Sequence, residues 1–146
     1  MFFLALGSNL GDRQANLSAA RRMLAQRLGV KLECSQMLET EAIGFDGKDF
    51  LNQVVAFEKE IEPLELLDVC QSVEVDMGRV KHEAVYDSAG RRVYENRIID
   101  IDILTAGNVK VRSRRLTLPH PQCWQRPYIS ELVATMNEET KNKYKI

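Results

Sequence analysis

At 146 residues, with 45% hydrophobic and 28% charged side chains, the chain is long enough for one domain with a core of its own, 1–146, and has the composition of an ordinary soluble globule. A net charge of −1 supplies no overall field for nucleic acid or an anionic membrane surface, so an anion site must come from local clusters of arginine and lysine. Cys34, Cys70 and Cys123 are odd in number and lack CxxC spacing, which favours the reduced thiols of a cytoplasmic protein over a disulfide frame or a zinc site.

The apolar opening Met1-Phe2-Phe3-Leu4-Ala5-Leu6 has no charged leader and stops at Gly7. It is too short for a signal peptide or membrane span and reads as a buried first strand. Gly7-Ser8-Asn9-Leu10-Gly11-Asp12 is then a turn into a helix, with Asp12 suited to the helix start beside free N–H groups and the positive dipole end. Such a Gly-Ser-Asn turn either binds an anion through backbone N–H groups or is a tight turn and nothing more. Leu17, Ala20, Leu24 and Leu28 recur at helical spacing and Gly29 ends the run, while Arg13, Arg21, Arg22 and Arg27 fall on a solvated face. A second strand is expected over 31–39, then a loop over 40–48 punctuated by Gly44 and Gly47. A third strand over 49–57 places Phe50, Asn52, Val54 and Ala56 on one face and Leu51, Gln53, Val55 and Phe57 on the other. Asn52, beside an aromatic on an apolar stripe, suits either the amide-like edge of a heterocycle or a neighbouring loop backbone.

Pro63 fits the first position of a helix whose apolar side is expected to be Leu64, Leu67, Cys70 and Met77, closed by Gly78. Gln71 and Glu74, three apart, share a face, as surface pairs commonly do. Residues 80–96 are polar and irregular, and Tyr86 and Tyr94 either side of Asp87-Ser88-Ala89-Gly90 suggest a hairpin, either a lid or a disordered loop.

Arg97-Ile98-Ile99-Asp100-Ile101-Asp102-Ile103-Leu104 is a strand by its β-branched run, yet it carries two aspartates. Alternation sets Asp100 and Asp102 on one face, roughly 6.6 Å apart at the Cα positions. Two such carboxylates among isoleucines repel each other and lose hydration, so they take up protons or meet positive charge. Mg²⁺ answers that need, since it takes one or two carboxylates plus waters and substrate phosphates. An edge strand with its aspartates on the wet side is the alternative. A turn at Ala106-Gly107-Asn108 and a short return follow. Next, Arg112, Arg114 and Arg115, with His120 between Pro119 and Pro121, form the densest positive patch, fit for phosphate or simply a solvated turn. Residues 125–133 read as a last helix and 137–146 as a polar, frayed tail.

The order β-α-β-β-α-β is that of a ferredoxin-like α+β sandwich, a largely antiparallel sheet with packed helices. That architecture hosts many functions and decides none.

Taken together, LALGSNLGD at 4–12, RIIDIDIL at 97–104 and RLTLPHP at 115–121, supported by FLNQVV at 50–55 and MGRV at 77–80, make a specific set in one order. The chain resembles the 6-hydroxymethyl-7,8-dihydropterin pyrophosphokinases of folate biosynthesis over residues 4–132. The resemblance implies transfer of pyrophosphate from ATP to the pterin hydroxymethyl oxygen, with AMP released. It implies two Mg²⁺ ions on Asp100 and Asp102, and phosphate contacts or catalytic roles for Arg79, Lys81, Arg97, Arg115 and His120. Adenosine-side contacts fall at Gln71, Glu74, Ile103 and Thr117. The pterin side falls at Gly7, Thr40, Ala42, Ile43, Phe50, Asn52, Arg126 and Tyr128, with Phe50 and Tyr128 around the ring. The chain departs from the family in a long loop after Val80 that lacks a tryptophan, in Lys81 where arginine is common, and in a pterin loop without prolines. A monomer with small-molecule partners, binding neither nucleic acid nor membrane, is expected. An RNA-binding module would need exposed aromatics and basic strands that are missing here. A nucleotide sensor without chemistry leaves the paired aspartates unexplained.

Overall fold

The computed structural model describes residues 1–41, 48–78 and 97–146, together with the backbone of two short strands at 85–86 and 92–93. In chain order the elements are β1 (Phe2–Ser8), α1 (Arg13–Leu28), β2 (Glu33–Thr40), β3 (Phe50–Phe57), α2 (Pro63–Asp76), β4 (Val85–Tyr86) and β5 (Arg92–Val93). They continue with β6 (Asp100–Ala106), β7 (Val111–Arg112), β8 (Thr117–Leu118), α3 (Gln122–Gln125), α4 (Pro127–Ala134) and α5 (Glu138–Lys141). Four strands form an antiparallel sheet in the order β2-β3-β1-β6, the ferredoxin-like arrangement expected from the element order. β4 and β5 pair antiparallel, as a hairpin requires. No helix among the described residues is long and apolar enough to cross a membrane.

The strands sort their side chains by alternation into two cores. Phe2, Leu4, Leu6, Leu51, Val55, Phe57, Ile101 and Ile103 face α1 and α2, meeting Leu17, Leu24, Leu66 and Val73. Phe3, Ala5, Val54, Ala56 and Leu104 face the other way, where Cys123, Ile129, Leu132 and Val133 of α3 and α4 cover them. α1 begins where Asp12 accepts a hydrogen bond from the Ala15 N–H and ends at Gly29, whose φ of 67° suits a residue without Cβ.

Several expectations are corrected. The buried side of α2 is Leu66, Leu67, Cys70, Val73 and Glu74, whereas Leu64 is 40% exposed; the helix is rotated so that its stripe runs one position off Leu64. Arg21 is not a solvated side chain: its guanidinium donates to Gln53 Oε1 at 2.6 Å. Arg13 pairs with Glu39 and Arg27 with Asp76, so these arginines tie α1 to its neighbours. Residues 137–146 are not a frayed tail. The Asn137 side chain caps α5 at the Thr140 N–H, Thr140 is buried, and the Tyr144 ring meets Phe3 edge-on with centroids 5.0 Å apart. A few anchors in a polar stretch suffice to dock it.

The Gly-Ser-Asn turn is held by hydrogen bonds on both sides. The Asn9 N–H donates to Arg97 O at 3.0 Å, and Asn16 Nδ2 donates to Ser8 Oγ and Leu10 O. The turn is a junction between β1 and the start of the aspartate strand.

Candidate active site

The second face of the sheet is covered by α4 only part of the way. Beyond the helix it continues as bare floor. Asn52 of β3, Gly7 of β1 and Asp100 of β6 lie in one row across three strands, because Gly7 is the register partner of both Asn52 and Asp100. Asp102 pairs in register with Ala5 one step back along that face. Gly7 leaves the middle of the row open; a Cβ there would stand 3.4 Å from Asn52 Oδ1 and 3.6 Å from the Phe50 ring.

Above this floor is a cleft of about 740 Å³. Phe50 and Asn52 of β3 line it, together with Arg126 at the junction of α3 and α4 and Tyr128 of α4. His120 and Gln122 are beside Asp102, and Gln71, Glu74 and Arg115 lie beyond the β6 edge. Size and mixed lining suit a small-molecule site.

The electrostatics have an acidic centre and a basic surround. Burial, reinforced by the charge of Asp100, holds the Asp102 carboxyl well above the usual carboxylate range. Asp102 Oδ2 accepts from Gln122 Nε2 at 2.7 Å, and Arg97 Nη1 stands 3.4 Å from Asp100 Oδ1. His120 Nδ1 accepts from the Gln122 N–H at 3.1 Å, and burial lowers its imidazole pKa. Burial raises the phenol of Tyr128. Arg115 pairs with Asp68 on α2 at 2.6 Å and reaches Gln71 Oε1 at 3.4 Å.

Glu74 is not the surface residue its spacing from Gln71 suggests. It is 7% exposed, and its Oε2 accepts the Ile101 N–H at 2.9 Å. β6 is an edge strand, so its outward amides need partners from outside the sheet; Glu74 supplies one. Asn52 Nδ2 donates to Leu38 O at 3.1 Å and Thr40 Oγ1 at 2.8 Å, so both amide hydrogens are spent on β2.

Comparison with known families decides the identity. The sequence profile described as 7,8-dihydro-6-hydroxymethylpterin-pyrophosphokinase matches residues 3–138, nearly all of the chain. The chain belongs to that family. It is a diphosphotransferase, moving the pyrophosphoryl group of ATP to the hydroxymethyl group of 6-hydroxymethyl-7,8-dihydropterin. It is similar to the 2-amino-4-hydroxy-6-hydroxymethyldihydropteridine pyrophosphokinase of Porphyromonas gingivalis, 45% identical over 129 residues, covering 87% of this chain and 84% of that one. The Bacillus subtilis protein of the same name is 29% identical over 143 residues, covering 97% and 80%. The mitochondrial folate synthesis bifunctional protein of Pisum sativum is 38% identical over 128 residues, 86% of this chain but only 23% of that longer one.

Of the residues that resemblance to the pyrophosphokinases picks out, Gly7, Thr40, Phe50, Asn52, Gln71, Glu74, Arg97, Asp100, Asp102, Arg115, His120, Arg126 and Tyr128 line the one cleft. Ile103 and Thr117 do not: the Ile103 side chain is in the core, and Thr117 is exposed on β8. Arg79, Lys81, Ala42 and Ile43 lie outside the described residues, as does Tyr94. Sequence reasoning missed Gln122, which contacts both Asp102 and His120. Its place two residues after the histidine is the only cue, since nothing in its spacing separates it from a surface glutamine.

Proposed function

We propose that this cleft is where the chain carries out pyrophosphoryl transfer, as a cytoplasmic monomer of folate biosynthesis whose 146 residues make one catalytic unit. Asp100 and Asp102 hold two Mg²⁺ ions. The donor set fits: the pair offers hard carboxylate oxygens, of which Mg²⁺ takes one or two together with waters and substrate phosphate oxygens. Held by Asp100 and Asp102, such cations would neutralise phosphate charge and help align the hydroxymethyl oxygen with the triphosphate.

The observation that carries the reading is the row Asn52–Gly7–Asp100, in which Asn52 on β3 and Asp100 on β6 face one cleft with Gly7 of β1 between them. Phe50 and Tyr128 flank the pterin ring. With its amide hydrogens committed to β2, Asn52 reads the ring edge as an acceptor from pterin N–H groups, aided by backbone of Thr40, Ala42 and Ile43. Arg126 closes that end. Arg97, Arg115 and His120, with Arg79 and Lys81, take the phosphates, while Gln71 and Glu74 lie on the adenosine side. All three thiols are free, two of them buried, which suits a reducing compartment.

The hydroxymethyl oxygen attacks the β-phosphorus and forms the new O–P bond as it loses its proton. The P–O bond to the α-phosphate breaks, and its electron pair leaves on AMP. Separating the nucleotides after one turnover tests this: AMP in step with pterin pyrophosphate is expected, and ADP with a pterin monophosphate overturns it. Arg97→Ala and Arg115→Ala are expected to raise the ATP requirement roughly ten- to a hundredfold, from charge-assisted bonds of about 1.5–3 kcal/mol. Arg115, half exposed and paired with Asp68, belongs at the lower end of that range. Calorimetric titration with the pterin checks the assignment, since a loss confined to pterin binding would reverse the two ends of the site.

A further inference from the structure

Gln122 is fastened in place more firmly than a surface side chain. The His120 N–H donates to Leu104 O at 2.8 Å, and Cys123 Sγ stands 3.6 Å from the same oxygen. These contacts staple the start of α3 to β6 two residues beyond Asp102. Gln122 O accepts the Arg126 N–H at 3.1 Å, which ties it to the turn between α3 and α4. From this fixed base Gln122 reaches two groups of the site: its Nε2 donates to Asp102 Oδ2 at 2.7 Å and its backbone N–H to His120 Nδ1 at 3.1 Å.

We propose that Gln122 is a positioning residue for cation loading: its side-chain amide fixes the Asp102 carboxylate, and its backbone N–H fixes the His120 ring with Nε2 left for a phosphate oxygen. The inference rests on the reading of Asp100 and Asp102 as the cation-holding pair. The chemistry of the amide suits the task. A lysine or arginine would meet the carboxylate with a full positive charge and oppose an incoming cation. A neutral amide orders one oxygen and leaves the other to bind metal. Carboxylates that ligate metals depend on such partners, whose loss typically lowers metal affinity about 10- to 100-fold.

The test uses the full chain with Mn²⁺ and α,β-methylene-ATP, which blocks transfer, in calorimetric and paramagnetic-resonance titrations. Gln122→Met keeps the length and the backbone bond to His120 but removes the donor. Mn²⁺ affinity in the nucleotide complex is expected to fall roughly tenfold, and the Mg²⁺ concentration for half-maximal turnover to rise to match. Pterin KM is expected to stay within about twofold, since the pterin end is untouched. Gln122→Asn, whose amide is one methylene too short, is expected to behave likewise and serves if the methionine variant folds poorly. Unchanged Mn²⁺ affinity in the folded variant overturns the inference. Asp102→Asn separates the two readings. If it binds Mn²⁺ as tightly as the parent, the carboxylate assignment fails. If it binds weakly while Gln122→Met binds normally, only the role of Gln122 is rejected.

Discussion

Asp102→Asn is expected to lower turnover roughly a thousandfold, about 4 kcal/mol of transition-state stabilisation, with Asp100→Asn close behind. Each change removes one of the two carboxylates proposed to hold the cations beside the triphosphate. The amide of asparagine keeps the shape and still has an oxygen to accept from Gln122. Stability is expected to move the other way. Burial and the neighbouring Asp100 charge raise the Asp102 pKa above its unfolded value, so the folded state holds its proton more tightly. Stability from this group is then present below the unfolded pKa and is lost as pH rises through the folded one. At neutral pH without metal, the uncharged asparagine escapes that loss, and the thermal midpoint should equal or exceed the parent's. A kinetic assay across Mg²⁺ concentrations and a melting curve check the two halves. Near-parent turnover would remove the metal assignment, and a lowered midpoint would make Asp102 a structural residue.

The fold was legible where the residues speak through period and punctuation. β1 announces itself by its apolar run, β6 by its β-branched residues, and α1 by the Leu17–Leu28 stripe with Asp12 and Gly29 at its ends. The paired aspartates were legible because a strand rarely carries them. Burial set by tertiary contact was not legible. Glu74 has the spacing of a surface residue, and only an edge strand on the far side of α2 gives its carboxylate a buried amide to accept. Arg21 likewise looks solvated until Gln53 is folded against it. The polar residues 137–146 conceal two anchors: Thr140, which is buried, and Tyr144, whose ring partner Phe3 lies at the far end of the sequence. Gln122 was invisible for the same reason: its meaning is a distance to Asp102, twenty residues earlier.

Asn9→Ala is expected to destabilise the fold and weaken ATP binding together. Asn9 is fully buried, and its side chain serves two segments that meet at the cleft. Its Oδ1 accepts the Arg97 N–H at 2.6 Å, and its Nδ2 donates to Lys48 O at 3.2 Å. Its backbone N–H meets Arg97 O, so Arg97 is gripped on both sides just before β6 begins. Alanine keeps the backbone bond and deletes the other two, leaving a donor and an acceptor unpaired at about 1–3 kcal/mol each. A loss of about 2–4 kcal/mol is expected, a fall of roughly 5–15 °C in thermal midpoint for a chain of this size. Loosening Arg97 should also spread its guanidinium away from the position it holds 3.4 Å from Asp100, so affinity for ATP falls several-fold. Melting curves and ATP titration on one preparation, below the lowered midpoint, separate the two effects. A drop in stability with unchanged ATP affinity would make Asn9 a tie in the fold alone. A drop in both links the Gly-Ser-Asn turn, through one buried side chain, to the arginine proposed to take the phosphates.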